Sequence, residues 1–242
     1  MLGDKDISLV SRGIYTWGAL WVAISLYLVS GMGITIPYHQ NLAHQSFKVP
    51  KWLEYSLAYY AVLSLQGSPL EWVSSHRYHH QFTDKLRDPH SPTKGFWFSH
   101  VNWAFDYHSR FGNLECQLYY RFLHYTYFLH SVLLGVALYL AGGLPFVVWG
   151  MSFHMQVTFS INSICHTWGK QTCDTGDVSK NNWLFGLLAF GEGWHNNHHA
   201  FEYSARQGLE RWQIDTSWYV IKFLQVVGLA TDVKLPTEIQ KK

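Results

Sequence analysis

Charge is what this chain of 242 residues is short of. Asp, Glu, Lys and Arg make up 14% of it, against ~25% in a typical soluble domain. Neither sign dominates: Lys and Arg number 18, Asp and Glu 16, for a net charge of +2. Basic residues nowhere run together, which excludes the footprint of a nucleic-acid binder and gives no reason for an acidic partner. Cysteine is scarce too. Cys116, Cys165 and Cys173 form no CxxC pair and no even framework, which fits a reduced, cytosol-facing protein. The first residues lack a basic start, short apolar core and cleavage site, so no signal peptide is expected. No linker and no internal repeat beyond one paired motif divides the chain. We expect a single domain over 1–242, with loose tails at 1–16 and 234–242.

What is abundant is aromatic. Trp 12, Tyr 15 and Phe 15 reach 17% of the residues, and Trp and Tyr favour the membrane–water interface. The mean hydropathy of −0.07 rules out a bundle of uniformly apolar spans. A membrane core under a polar cap fits better. Trp17–Ile36 carries no charge over twenty residues, enough to cross ~30 Å of hydrocarbon. Pro37 is expected to end or bend it. Phe122–Leu140 and Leu144–Cys165 read as two further spans, joined by the tight turn Ala141-Gly142-Gly143. Lys51–Gln66 is apolar but short. The expected fold is an all-α integral membrane protein with about three transmembrane helices, topped by a cytosolic helical cap.

The cap is where the histidines are. His76-Arg77-Tyr78-His79-His80 and His195-Asn196-Asn197-His198-His199 both place imidazoles at i, i+3 and i+4, one face of a helix. Fifteen His in the chain would give about 0.06 HxxHH strings by chance, so two are a signal. Neutral imidazoles aimed together grip a metal, and suit iron, zinc and copper. His39 and His44 precede the first string, and His166 follows the last predicted span. If these serve one site they lie on one side of the membrane. Lys51–Gln66 must then lie in the interface or re-enter rather than cross, and the 122–165 hairpin returns the chain to that side. The candidate ligands are His39, His44, His76, His79, His80, His166, His195, His198 and His199. Asn162, four residues before His166, is placed to touch a metal or its water. Nine imidazoles exceed what one ion takes, so two metals are expected. A five-residue step turns ~140° on an ideal helix, so using both His39 and His44 requires a kink or two different metals. Ligand type alone does not separate iron from zinc.

Other polar residues compete for roles. Asp84, Asp88, Glu192 and His90 stand near the boxes, as orienting partners or as solvated loop groups. His100 lines the site or caps a turn. His108, His124, His130 and His154 have no partners in sequence and are expected to be structural.

The three boxes, together with Phe82-Thr83-Asp84, Asp88-Pro89-His90, Asn162-Ser163-Ile164-Cys165-His166 and Gly191-Glu192-Gly193-Trp194-His195, resemble the membrane fatty-acyl desaturases. The delta-9, stearoyl-CoA desaturase-like group is the nearest. His44-Gln45-Ser46-Phe47-Lys48-Val49-Pro50 and Ala205-Arg206-Gln207-Gly208-Leu209-Glu210 look like its plant and cyanobacterial branch. The resemblance covers roughly residues 17–236. It implies a di-iron centre (Fe2+/Fe3+) on the nine histidines, with Asn162 acting through water. It implies O2-dependent removal of two hydrogens from a saturated acyl-CoA or acyl-lipid chain, leaving a cis double bond. Electrons would come from cytochrome b5 or ferredoxin through a separate reductase, with no fused haem domain expected. The endoplasmic reticulum membrane is the expected location, with the chloroplast membrane as alternative, and homo- or hetero-oligomers with other desaturases are compatible. Three departures stand out. Gln40 and Gln45 replace arginines usual after the first-box histidines, there is one span fewer than the family's, and Ser74-Ser75 replace charged residues of acyl-CoA-using members. The missing span and the Gln substitutions keep a non-catalytic partner or regulator in view, and the hydrogen abstraction shared by desaturation and hydroxylation keeps an acyl hydroxylase.

Overall fold

A computed structural model describes residues 16–105 and 113–241, and among these residues it is helical, with no strand. Helix α1 (Trp17–Gly33) runs on without a break into a π-helical segment, Ile34–Ala43. Pro37 therefore does not end the helix. Its ring would strike the carbonyl of Gly33 in a regular α-turn and it has no N–H to give. The wider π-turn relieves the clash and bonds residue i to i+5. The amide of His44 closes one such turn on the carbonyl of His39 at 3.1 Å.

Helix α2 (Lys51–Val62) packs back along α1. At Gly33 the two backbones touch, since a Cβ there would lie 2.9 Å from the nitrogen of Ala61. Helix α3 (Pro69–Phe82) opens on a capping box: Ser68 accepts from the amide of Glu71, and Glu71 accepts from the amide of Ser68. That cap, with Pro69 in the first turn, fixes where the helix bearing the first HxxHH starts. At its other end Arg77 donates to the carbonyls of Leu42 and Ala43 at 2.7 and 3.1 Å, tying α3 to the end of the π-segment.

The short α4 (Phe96–His100) leads to α5 (Leu118–Tyr125) and α6 (Tyr127–Gly142), which meet at a bend of 58°. Helix α7 (Leu144–Ile164) packs along α1. The remaining helices are α8 (Trp183–Leu188), α9 (His195–Ala200) and α10 (Thr216–Val226). A Cβ at Gly193 would meet the nitrogen of Gly186 at 2.0 Å, so only glycine lets α8 lie against the approach to α9. The core between α1, α2, α3 and α5 is apolar, centred on Tyr38, Ala58, Ala61, Leu70, Val73 and Tyr120.

Of the three expected spans, the first is a helix of 27 residues, Trp17–Ala43, long and apolar enough to cross a membrane. The second meets that test only if α5 and α6 count as one bent span. The third, α7, has 21 residues; Ser152, Gln156, Thr158, Ser160 and Asn162 dilute its apolarity. Helix α6 buries none of its residues, and Phe128, Leu129, Leu133, Val136 and Leu140 point outward. Lys51–Gln66 contains a helix of 12 residues, too short to cross. His108 and the side chain of His154 lie outside the described residues.

Candidate metal centre

The nine histidines come together as two adjoining clusters. His39, His44, His76, His80 and His198 form one, a five-imidazole cluster; His79, His166, His195 and His199 form the other, with four. Within each, the ligand atoms lie within 4.8 Å of one another. The two HxxHH boxes contribute reciprocally. His76 and His80, a helical turn apart, face the five-imidazole cluster, and His79 between them turns to the other. His195 and His199 face the four-imidazole cluster, and His198 crosses back. Each box thus spans both clusters, whose nearest rings, His80 and His199, stack with centroids 4.7 Å apart.

The π-segment resolves the spacing of the first box. Bonding i to i+5 stacks residues five apart, so His39 and His44 fall on one face. Their ring centroids are 4.8 Å apart and both serve the same cluster. The kink-or-two-metals expectation rested on α-helical geometry and is corrected by this turn. His166 lies just past the end of α7, which stops at Ile164, so its relation to Asn162 is not that of one helical face. Asn162 instead lines a cavity shared with His39, His76, His79 and His195.

Five of the nine Nδ1 atoms are engaged by carboxylates away from the clusters. His39 pairs with Glu192 at 2.8 Å, His79 with Asp88 at 3.0 Å, His80 with Glu202 at 3.2 Å, His166 with Asp84 at 3.1 Å and His199 with Asp177 at 3.0 Å. A carboxylate on Nδ1 fixes the proton there and leaves the Nε2 lone pair facing inward. Those lone pairs converge. Nε2 atoms of His39 and His198 are 3.0 Å apart, His44 and His76 2.8 Å, His80 and His198 3.0 Å. In the other cluster His195 lies 3.0 Å from His166 and 3.1 Å from His199, while the buried Nε2 of His79 has no hydrogen-bond partner. Lone pairs aimed at one another repel unless a cation lies between them, so the donor set fits a metal in each cluster. Ligands 90° apart at a metal–nitrogen distance of ~2.1 Å stand ~3.0 Å apart, whereas tetrahedral ligands stand ~3.4 Å apart. The closest pairs stand near these separations, and all the ligand atoms of a cluster lie within 4.8 Å of one another, so one ion can be reached by each cluster. Burial first, and neighbouring imidazoles second, hold His76, His79, His195 and His198 well below the usual histidine pKa. They are neutral, as ligands must be.

The fatty acid desaturase sequence model matches residues 15–221. The chain belongs to the fatty acid desaturase family. Over 98% of its length it is 57% identical to a chloroplastic palmitoyl-monogalactosyldiacylglycerol delta-7 desaturase of Arabidopsis thaliana, covering 67% of that protein. It is 53% identical, again over 98% of its length, to delta-9 acyl-lipid desaturase 2 of the same plant, covering 81% of it. An acyl-CoA 5-desaturase of Anemone leveillei is 53% identical over 94% of the chain, which covers 75% of that protein.

The remaining residues sort out around this desaturase site. Asp84, Asp88 and Glu192 are all carboxylate partners of cluster histidines, as expected of orienting groups. His90 is buried, its ring 4.2 Å from that of His79, and burial pushes its pKa down to about 4. His100 bonds to Ser163 and Gln156 on α7, His124 to Ser68 and His130 to Thr126, which makes all three structural. Asp177 and Glu202 were not singled out from sequence. Asp177 sits in the polar loop 170–182, which Asn196 and Asn197 pull onto the site. Asn196 Oδ1 accepts from the amides of Thr172 and Cys173 at 2.7 Å, and Asn197 Oδ1 accepts from Thr172 and Asn181. The Asn-Asn inside the box was the available signal, because two amides between metal ligands must bond elsewhere if buried. Against the cost of burial, hydrogen bonds with His199, Ser179 and Thr175 hold Asp177 below the usual carboxylate range.

Proposed function

We propose that this chain is an O2-dependent acyl desaturase, introducing a cis double bond at delta-9 or nearby into a saturated chain. The observation that carries the reading is the reciprocal sharing of both HxxHH boxes between two clusters, which puts two metal sites side by side. His39, His44, His76, His80 and His198 would hold one iron; His79, His166, His195 and His199 would hold the other, with Asn162 acting through a water. Bound there, the irons supply the activation of dioxygen that side chains cannot perform. In net terms two hydrogens leave the acyl chain, an external donor supplies two electrons, solvent supplies two protons, and O2 becomes two waters.

The residues of the chain have three tasks in this reaction. The nine imidazoles fix two sites at once. The five carboxylates hold the rings in one tautomer and orientation. The walls between α1 and α7 receive the acyl chain and exclude water. A cavity of about 50 Å³ runs from His39 and His195 between Ile34, Val157, Ile161 and Phe190, an apolar passage suited to methylene groups. It adjoins a larger space of about 360 Å³ that includes Trp72, Trp103, Tyr127 and Asn162. Among the described residues that space is lined by Glu71 and Ser75 and by no Lys or Arg. Such a lining suits a lipid-linked chain better than the phosphates of CoA.

We read α1, the bent α5–α6 pair and α7 as three membrane crossings, with the clusters at the cytosolic rim. The outward apolar side chains of α6 support this reading, since lipid is the solvent that accepts them. In the endoplasmic reticulum the donor is cytochrome b5; a chloroplast address brings ferredoxin instead. Expression in desaturase-deficient yeast tests the activity. New monounsaturated fatty acids in the lipid profile are the expected result. Protein present with iron bound and no new product contradicts it, and a hydroxylated product reassigns the reaction.

A further inference from the structure

The two clusters are not held alike. Three of the four imidazoles in the smaller cluster, His79, His166 and His199, are clamped by Asp88, Asp84 and Asp177, whose side chains are 0%, 7% and 9% exposed. Two of the five in the larger cluster are clamped, His39 by Glu192 and His80 by Glu202. Glu192 is 12% exposed, but Glu202 is 57% exposed. One ring in each cluster, His198 in the larger and His195 in the smaller, has a buried Nδ1 with no hydrogen-bond partner, so the asymmetry lies in the carboxylates.

From this asymmetry we infer that the five-imidazole cluster is the exchangeable metal site, and that Glu202 is the positioning residue that governs its exchange. The inference rests on the two-iron reading above. The physical ground is twofold. A buried carboxylate acts on its imidazole through low dielectric and is displaced by no water, so its orienting hold and its negative charge both reach the ion. An exposed carboxylate competes with solvent for the same N–H, and its charge is screened. The four-imidazole cluster therefore sees three unscreened negative charges behind its ligands. The five-imidazole cluster sees one, plus a screened one. The greater number of ligands does not offset this, because a ring that no hydrogen bond orients from behind has its tautomer and tilt set only by packing.

The test is metal release, read without turnover. The purified full-length chain, reconstituted with ferrous iron, is challenged with excess EDTA, and the iron remaining on the protein is followed over time. Two phases of one equivalent each are expected. Glu202→Gln should speed the fast phase about 10-fold, at the low end of what an orienting partner is worth, and leave the slow phase unchanged. Asp177→Asn should speed only the slow phase; if that variant does not fold, Asp88→Asn gives the same readout. Thermal unfolding of the metal-stripped Glu202→Gln protein should match wild type, which a merely structural role for Glu202 would not allow. Release of both equivalents in one phase, or acceleration of the slow phase by Glu202→Gln, overturns the inference. A wild-type chain that takes up fewer than two irons overturns the two-iron reading instead.

Discussion

The two imidazole clusters use the same ligand type, share both HxxHH boxes and differ in what stands behind them. The four-imidazole cluster is backed by Asp84, Asp88 and Asp177, all nearly or fully inaccessible; the five-imidazole cluster has more rings and fewer, wetter supports. Counting ligands would rank the five-imidazole site as the stronger. Counting oriented ligands reverses the order. The lesson is that a metal site is specified one layer further out than its donors, by the groups that decide where each lone pair points.

The comparison can be broken most severely by removing the ligands that cross between the clusters. His198→Ala takes a ring from the five-imidazole cluster and His79→Ala one from the four-imidazole cluster, and each should cut product formation more than about 100-fold, beyond the cost of losing an orienting partner. The yeast fatty-acid profile measures it, and retained desaturation in either variant would refute the ligand assignment. Next in size is Asp88→Asn. It weakens the hold on His79 and replaces one of the two oxygens that accept from the amides of Asp84 and His90. A loss of about 10- to 100-fold in affinity for one of the two irons is expected, measured by iron titration against a competing chelator. Glu192→Gln, on the five-imidazole side, should lower iron affinity about 10-fold, and an effect equal to that of Asp88→Asn would erase the distinction between the clusters. The smallest expected effect is Gln45→Gly. Gln45 is exposed beside His44 and holds φ at +51°, a conformation glycine adopts without strain. Thermal unfolding should show a gain of about 0.5–1 kcal/mol, with iron content unchanged.

Much of the site was legible in the sequence. The three boxes announce eight ligands and the end of the last predicted span gives His166, because imidazoles at i, i+3 and i+4 on one helical face have few structural uses, and Asp84, Asp88 and Glu192 stood close enough in sequence to be noticed. The partition of ligands was not legible. A run of three histidines on one helical face reads as one grip, whereas His79 and His198 each turn to the neighbouring cluster, a choice made by what α3 and α9 pack against. Nor was the π-turn at Ile34–Ala43, because Pro37 in an apolar run reads as a stop. It becomes a wider turn here only because α2 and Arg77 hold the segment on both sides. Asp177 and Glu202 were missed for the same reason: loop 170–182 and the turn after α9 acquire their roles through tertiary contacts. Of the fold, the helical hairpin at Gly143 and the short α2 were readable from length and apolarity. The polarity of α7 follows from its place between α1 and the site.

The central claim is that two adjoining imidazole clusters hold two metal ions. Iron content per chain, measured on the purified, reconstituted protein, tests it most directly. The account predicts two equivalents in the wild type. A wild type that saturates at one equivalent, or binds none, would contradict it.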